Sequence, residues 1–212
     1  MRIRPETSWL TASGVGFALF PMLRPWGDKA MTQEGMVAAF GSSWWLVAHL
    51  LGAGGFVALS VALALRARVE RRGRAAAWFA AVGTALVLPF FGAETFALHA
   101  IALLEPGSTP ALAEGVRGGA AALGTFALGL LCLAVAGDLI AATRRRASGL
   151  RWAGIPLALG LVGYLPQFFL PAEGRIAHGV LMLVGAVVLA LAWRREAPVN
   201  ESTPARHVPA GV

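Results

Sequence analysis

The sequence predicts an all-α integral membrane protein, a bundle of six transmembrane helices with both termini in the cytoplasm. Hydrophobic residues make up 57% of the 212 residues and charged residues only 14%, whereas about 25% of a soluble domain is charged. The charges are gathered in short clusters between apolar runs, and about 20 apolar residues are enough to cross a bilayer. These observations indicate a single transmembrane domain over residues 1–196. The polar, proline-containing stretch 197–212 is typical of a disordered cytoplasmic tail.

Six apolar runs define the predicted spans. The first follows Arg2 and Arg4 like a signal peptide, but no small-residue cleavage site comes after it, so we interpret it as an uncleaved span. The polar segment 25–41 is predicted to lie on the membrane surface as a cap, and 105–116 is predicted to be a turn-rich outer loop. The predicted spans are residues 8–24, 42–65, 75–104, 117–141, 152–170 and 175–193.

The basic residues are distributed unequally between the two sides of this predicted bundle. If the N-terminus is cytoplasmic, 14 of the 18 Arg and Lys residues lie on the cytoplasmic side and four on the outer side. Cytoplasmic loops carry such an excess, so the asymmetry predicts that both termini are cytoplasmic. The same rule accounts for the net charge of +7 without nucleic acid as a partner. The four outer basic residues are Arg24, Lys29, Arg117 and Arg175.

Polar side chains inside the apolar runs indicate where a site would lie. Glu94 and His99 lie in the third predicted span, His49 in the second and His178 in the sixth. Ionisable groups are costly in hydrocarbon and are a functional hypothesis by default. At 1.5 Å per residue, the three histidines lie within roughly 5–12 Å of the outer ends of their spans. We therefore expect them to converge in one cavity that is open toward the outer face, with Glu94 lining its floor.

A cluster of three histidines predicts a metal centre, because imidazole is the commonest metal ligand in proteins. Two of them could bind haem b axially, with Arg117 or Arg175 meeting the propionates. Alternatively, all three could bind a transition metal ion directly. The residues predicted to line the pocket or to support the histidines are Glu94, Thr95, Tyr164 and Gln167.

The direction in which Glu94 points depends on how the third span is bent. Glu94 and His99 are five residues apart, which is about 140° around a regular helix. They face one spot only if Pro89 kinks the helix or if the helix unwinds locally, and a proline in a helix removes one backbone donor. The sequence therefore predicts a kink at Pro89, about a turn before Glu94.

Two other functions are compatible with the sequence. One is a small proton-coupled carrier that uses Glu94 beside a proline-broken helix. The other is a non-catalytic accessory membrane subunit, in which the polar residues hydrogen-bond between helices. The spacing of Ser, His and acidic residues matches no hydrolase motif, so the sequence assigns no reaction and leaves the question of an enzyme open. It is compatible with a small-molecule ligand and indicates no oligomeric state.

Two stretches carry a resemblance to other proteins. They are WLVAHLLG at 45–52 and PFFGAETFALHAI at 89–101, in the second and third predicted spans. Both resemble a group of small uncharacterised bacterial polytopic membrane proteins with six spans. The resemblance implies a multi-pass protein of the bacterial plasma (inner) membrane, with the lipid bilayer as its surroundings, and it implies no activity.

Overall fold

The computed structural model describes residues 4–147 and 149–196, so the predicted tail 197–212 lies outside the described residues. Every regular element of the described residues is helical, which confirms the all-α prediction. The helices are α1 Pro5–Leu23, α2 Gln33–Phe40, α3 Ser43–Val69, α4 Arg74–Gly92, α5 Leu98–Leu104, α6 Thr109–Gly118, α7 Ala120–Arg145, α8 Ile155–Val162 and α9 Ala172–Arg195.

Six of these helices form a closed ring in which neighbours along the chain are also neighbours in space. Helix α1 packs between α3 and α9, α4 between α3 and α7, and α8 between α7 and α9. The first and last helices therefore close the ring. Arg4 secures this closure, because its guanidinium donates to the carbonyl oxygens of Trp193 and Glu196 at 3.0 and 2.8 Å. The buried core inside the ring includes Leu10, Phe17, Phe56, Phe91, Leu133 and Met182.

Four helical stretches among the described residues are long and apolar enough to cross a bilayer, as expected for a membrane protein. They correspond to the second, third, fourth and sixth predicted spans. Glycines let such helices approach closely, as packing in membranes favours. A Cβ added at Gly83 would lie 2.8 Å from the carbonyl oxygen of Gly129, where α4 meets α7. The four stretches are Ser43–Val69, Arg71–Leu104, Ala120–Arg145 and Ala172–Arg195.

The other two predicted spans differ from these four. Helix α1 has 19 residues and carries Glu6 in its first turn. The predicted fifth span, 152–170, is not a continuous helix, because only the eight residues of α8 are α-helical. Gly163 ends α8, and Pro166, which has no backbone N–H, begins a short 3₁₀ turn. Helix α8 is therefore about 12 Å long, against about 39 Å for α7.

The third predicted span contains a π-helical segment shortly after Pro89. Residues Ala93–Ala97 join α4 to α5, and the N–H of Leu98 donates to the carbonyl of Ala93, five residues earlier. Such segments insert one extra residue into a helical turn and are frequent at functional sites. The insertion displaces carbonyls from their regular partners, and the Trp45 indole donates to the carbonyl oxygen of Glu94 at 2.7 Å. Trp45 on α3 therefore fixes the segment that carries Glu94.

One end of the ring is covered by α2, α5 and α6, which pack against one another around Trp45. We call this the cap end. Here the predicted loop 105–116 is corrected, because most of it is helix α6, in which Thr109 and Ala113 are buried. Pro110 indicated a turn in the sequence, but it stands in the first turn of α6, where proline is compatible with a helix.

The opposite end holds both termini of the described chain, and we call it the termini end. The Glu196 carboxylate binds Arg66 of α3 and Arg144 of α7 there. Arg66 also binds Glu70 at 2.8 Å. Both arginines are buried, so this network joins three helices of the ring at a distance from the cap end.

Candidate ligand-binding cavity

A cavity of about 420 Å³ lies at the cap end, and the two other described pockets are only about 20 Å³ each. It has two chemically different walls. The charged wall consists of Arg24, Asp28, Lys29, His49, Glu94, Arg117 and Arg175. The apolar wall consists of Phe20, Phe90, Phe91, Leu123, Phe126, Ala127, Leu165, Phe168 and Phe169.

The π-helical segment turns Glu94 toward Arg117, the last residue but one of α6. Arg117 donates to both carboxylate oxygens, from Nε at 2.6 Å and from Nη2 at 2.9 Å. Its Nη2 also lies 3.6 Å from Oδ2 of Asp28, and its guanidinium lies over the Phe40 ring. Burial opposes the charge of Arg117, but the hydrogen bonds and negative charges of Glu94 and Asp28 outweigh it and raise the pKa of Arg117.

A second ion pair stands beside the first. Arg24 donates to both oxygens of Asp28, at 3.0 and 2.7 Å, and both side chains are buried. The Arg24 guanidinium also lies between two indoles, 4.5 Å from the Trp26 ring and 4.6 Å from the Trp45 ring. Such cation–π contacts stabilise a desolvated arginine. Arg24 is therefore held rigidly at the wall of the cavity.

The remaining two cations, Lys29 and Arg175, have no carboxylate partner within ion-pair distance among residues 4–147 and 149–196. Arg175 donates instead to the main-chain carbonyls of Leu170, at 3.1 Å, and Phe168. Partial burial and the positive charge of Arg175 lower the pKa of Lys29. With His49 neutral, four cations face two carboxylates, so the charged wall has a formal excess of two positive charges.

His49 lies on the charged wall between the ion pairs and the aromatic core. Its Nδ1 lies 2.8 Å from the carbonyl oxygen of Trp45. Because a carbonyl only accepts, Nδ1 carries the proton in this contact. The other ring nitrogen, Nε2, lies 3.8 Å from Oε2 of Glu94. His49 and Glu94 therefore line the same cavity, as the sequence predicts.

His99 lies elsewhere and completes the end of α2. Its Nδ1 donates to the carbonyl oxygen of Phe40 at 2.7 Å. Phe40 is the last residue of α2, and the last carbonyls of a helix have no partner within it. His99 therefore joins α5 to α2 by a hydrogen bond. Thr95 likewise serves the backbone, donating to the carbonyl of Phe91 at 2.6 Å.

His178 completes the end of α8 in the same way. Its Nε2 donates to the carbonyl oxygen of Gly160 at 2.8 Å. The N–H of Tyr164, which would bond to Gly160 in a longer helix, donates to Leu161 instead. His178 lines one of the small pockets together with Tyr164 and Gln167, the other two predicted pocket residues.

The structure does not bring the three histidines together, since only His49 of the three lines the large cavity. In the part of the chain that the structure describes, no group of three or more His, Cys, Asp and Glu side chains could hold a metal ion. The reason is local, because His99 and His178 are engaged by the ends of two different helices. Metal or haem binding by His49, His99 and His178 stays a prediction that these contacts do not support.

The sequence did not predict that the four basic residues share one site. From the sequence, Arg117 and Arg175 are predicted only as partners of haem propionates, and no site role is predicted for Arg24, Asp28 or Lys29. A signal was available, because the four basic residues on the predicted outer side are the same four that line the cavity. Most basic residues lie on the predicted cytoplasmic side, and these four are the exceptions.

No protein-family model matches the chain, and no curated protein or solved structure shows significant similarity to it. The resemblance of 45–52 and 89–101 to small bacterial membrane proteins therefore stays a prediction. The chemistry of the cavity itself is therefore the basis for a function.

Proposed function

We propose that this protein is a multi-pass protein of the bacterial plasma membrane that binds an amphipathic anion in its outer leaflet. In this proposal the termini end faces the cytoplasm, and the six helices of the ring are the six spans, with α8 as a short one. The excess of basic residues at the termini end supports this orientation. The cavity at the cap end then opens near the outer membrane surface.

One observation carries the proposal. Among the described residues, the four basic residues outside the termini end all line a single cavity, although they come from three separate stretches of the chain: the segment after α1, α6 and α9. Arginine and lysine near hydrocarbon are costly, and such residues mark ligand or ion pathways by default. Four of them at one place, against two carboxylates, favour a ligand with negative charge.

The opposite wall determines the rest of the ligand. Six phenylalanines and two leucines line it, and small-molecule sites combine such an apolar surface with a few polar groups that fix orientation. A ligand with a negative head and a hydrocarbon body satisfies both walls at once. A small inorganic anion would leave the apolar wall without a partner.

The binding of an amphipathic anion fits the contacts of Glu94 better than the role of a proton-coupled carrier does. Both carboxylate oxygens accept hydrogen bonds from Arg117, so this pair would have to open before Glu94 could exchange a proton or a cation. The role of an accessory subunit held together by polar contacts explains His99 and His178, but it does not account for a cavity of about 420 Å³ with two different walls.

A set of amphiphiles with one chain and different heads tests the proposal. The protein in nanodiscs of zwitterionic lipid is heated with dodecyl phosphate, dodecanol or dodecyltrimethylammonium. A ligand at about 100 times its Kd stabilises the folded state by about 2.7 kcal/mol. We expect dodecyl phosphate alone to raise the Tm. Equal shifts with the alcohol and the phosphate would contradict a charge-selective cavity.

A pair of variants with equal changes in charge provides the control. Lys29→Gln removes a cation that has no carboxylate partner in the described part of the chain, so we expect the affinity for dodecyl phosphate to fall by roughly three- to tenfold. Arg68→Gln removes an exposed cation in the last turn of α3 at the termini end, and it should leave the affinity unchanged. An equal effect of both substitutions would show a general charge effect.

A further inference from the structure

We propose that the ligand is a lipid phosphate monoester, and that its head group enters the cavity sideways from the outer leaflet, between α7 and residues 165–169. This inference rests on the proposed function and names its substrate class and route. Three features carry it: the position of the opening, the volume of the cavity and the charge of its wall.

The opening is marked by residues that line the cavity and are also exposed. Phe169 is 87% exposed, Leu123 47% and Leu165 39%. They stand where α8 has already ended, so that the first turns of α7 lie beside the Pro166–Phe169 turn. In a bilayer, large apolar side chains at this position face lipid chains. The early end of α8 thus creates a lateral opening into the cavity.

The volume of the cavity limits how much of a lipid it can hold. A cavity of about 420 Å³ accommodates about 14 groups the size of a water molecule, at about 30 Å³ each. That is enough for a phosphate group and the first part of one chain, whereas a two-chain phospholipid is several times larger. The rest of the chain must leave through the opening at Leu123 and Leu165 and remain in the bilayer.

The charge of the wall selects among anionic heads. Arg24 and Arg117 are neutralised by Asp28 and Glu94, which leaves the positive charges of Lys29 and Arg175. A phosphate monoester carries about −1.5 to −2 charges at pH 7 and matches this excess. A carboxylate or a phosphodiester carries one negative charge and would leave one cation without a partner.

Photo-crosslinking in nanodiscs tests both the route and the class. The probe is dodecyl phosphate with a diazirine near the middle of its chain, where the chain passes through the opening, and labelled peptides are identified by mass spectrometry. We expect labelling of peptides that contain 123–127 or 165–169, and loss of labelling with excess dodecyl phosphate. Leu123→Trp, which narrows the opening, should reduce labelling at least fivefold. Leu128→Trp, at an exposed position of α7 that does not line the cavity, should not.

Competition by other anions shows which part of the proposal fails if the expected labelling is not seen. We expect dodecyl methyl phosphate and dodecanoate to compete at least tenfold more weakly than dodecyl phosphate, and inorganic phosphate not to compete. Equal competition by the diester overturns the monoester class, and competition by inorganic phosphate overturns the lipid. Competable labelling confined to 27–34 overturns the lateral route and leaves the proposed function standing. Absence of any competable labelling overturns the proposed function itself.

Discussion

Replacing Arg117 by Gln lowers the free energy of unfolding by about 3 kcal/mol, whereas replacing Glu94 by Gln lowers it by about 1 kcal/mol. Both substitutions break the same ion pair. The difference arises from what each leaves behind. Without Arg117, the buried Glu94 carboxylate retains, among the residues that the structure describes, only His49, at 3.8 Å. Without Glu94, the half-buried Arg117 retains Asp28, at 3.6 Å, and the ring of Phe40.

Equilibrium unfolding with increasing SDS in mixed micelles measures these free energies. The double variant Glu94→Gln/Arg117→Gln is the control, because it leaves neither charge buried alone. We expect it to be more stable than Arg117→Gln. If Glu94→Gln costs as much as Arg117→Gln, or if the double variant loses the sum of both effects, the description of this pair is wrong.

Replacing Gly185 by Ala separates α9 from α8 and destabilises the protein by about 3 kcal/mol, at the upper end of the usual cost of overpacking. A Cβ at this position would overlap the backbone nitrogen of Leu157 and lie 2.7 Å from its Cα and 2.9 Å from the carbonyl carbon of Pro156. These are main-chain atoms, so no side-chain rotation relieves the overlap. The helices themselves must move apart, which loses contacts along the whole crossing.

Gly124→Ala provides the matched control for this substitution. Position 124 is also helical, but a Cβ there has no described neighbour within 4 Å. Alanine is the better helix former, so the same change at this position should leave stability equal or slightly higher. The same unfolding measurement compares the two variants. A similar loss of stability from both substitutions would contradict close packing of α8 on α9 as the cause of the effect.

Composition and hydropathy predicted the class of fold well, because a membrane helix must satisfy its backbone internally and expose apolar side chains. They predicted α3, α7, α9 and the long helix around Pro89 as candidate membrane spans. The eight-residue length of α8 was not predicted, because 152–170 is mostly apolar and carries no charged residue. Hydropathy does not register that Gly163 and Pro166 interrupt the helical hydrogen bonds.

The site was predicted in part. The irregular helix near Pro89 followed from the missing N–H of proline. The burial of Glu94 beside His49 followed from the cost of ionisable groups in hydrocarbon. The roles of His99 and His178 did not follow, because depth along a helix carries no information about rotation around it. Each imidazole completes a helix end that the sequence did not reveal. The cations were visible in the sequence, but only the closed ring places Arg24 beside Arg175.

Native mass spectrometry of the protein released from nanodiscs that contain dodecyl phosphate tests most directly whether the cavity binds an amphipathic anion. We compare the wild-type chain with Ala127→Trp, which fills the cavity from its apolar wall without changing any charge. Leu128→Trp is the control, since it adds the same side chain outside the cavity. The account predicts one bound dodecyl phosphate per wild-type and Leu128→Trp chain, and at least tenfold less on Ala127→Trp. Undiminished binding to Ala127→Trp would contradict it.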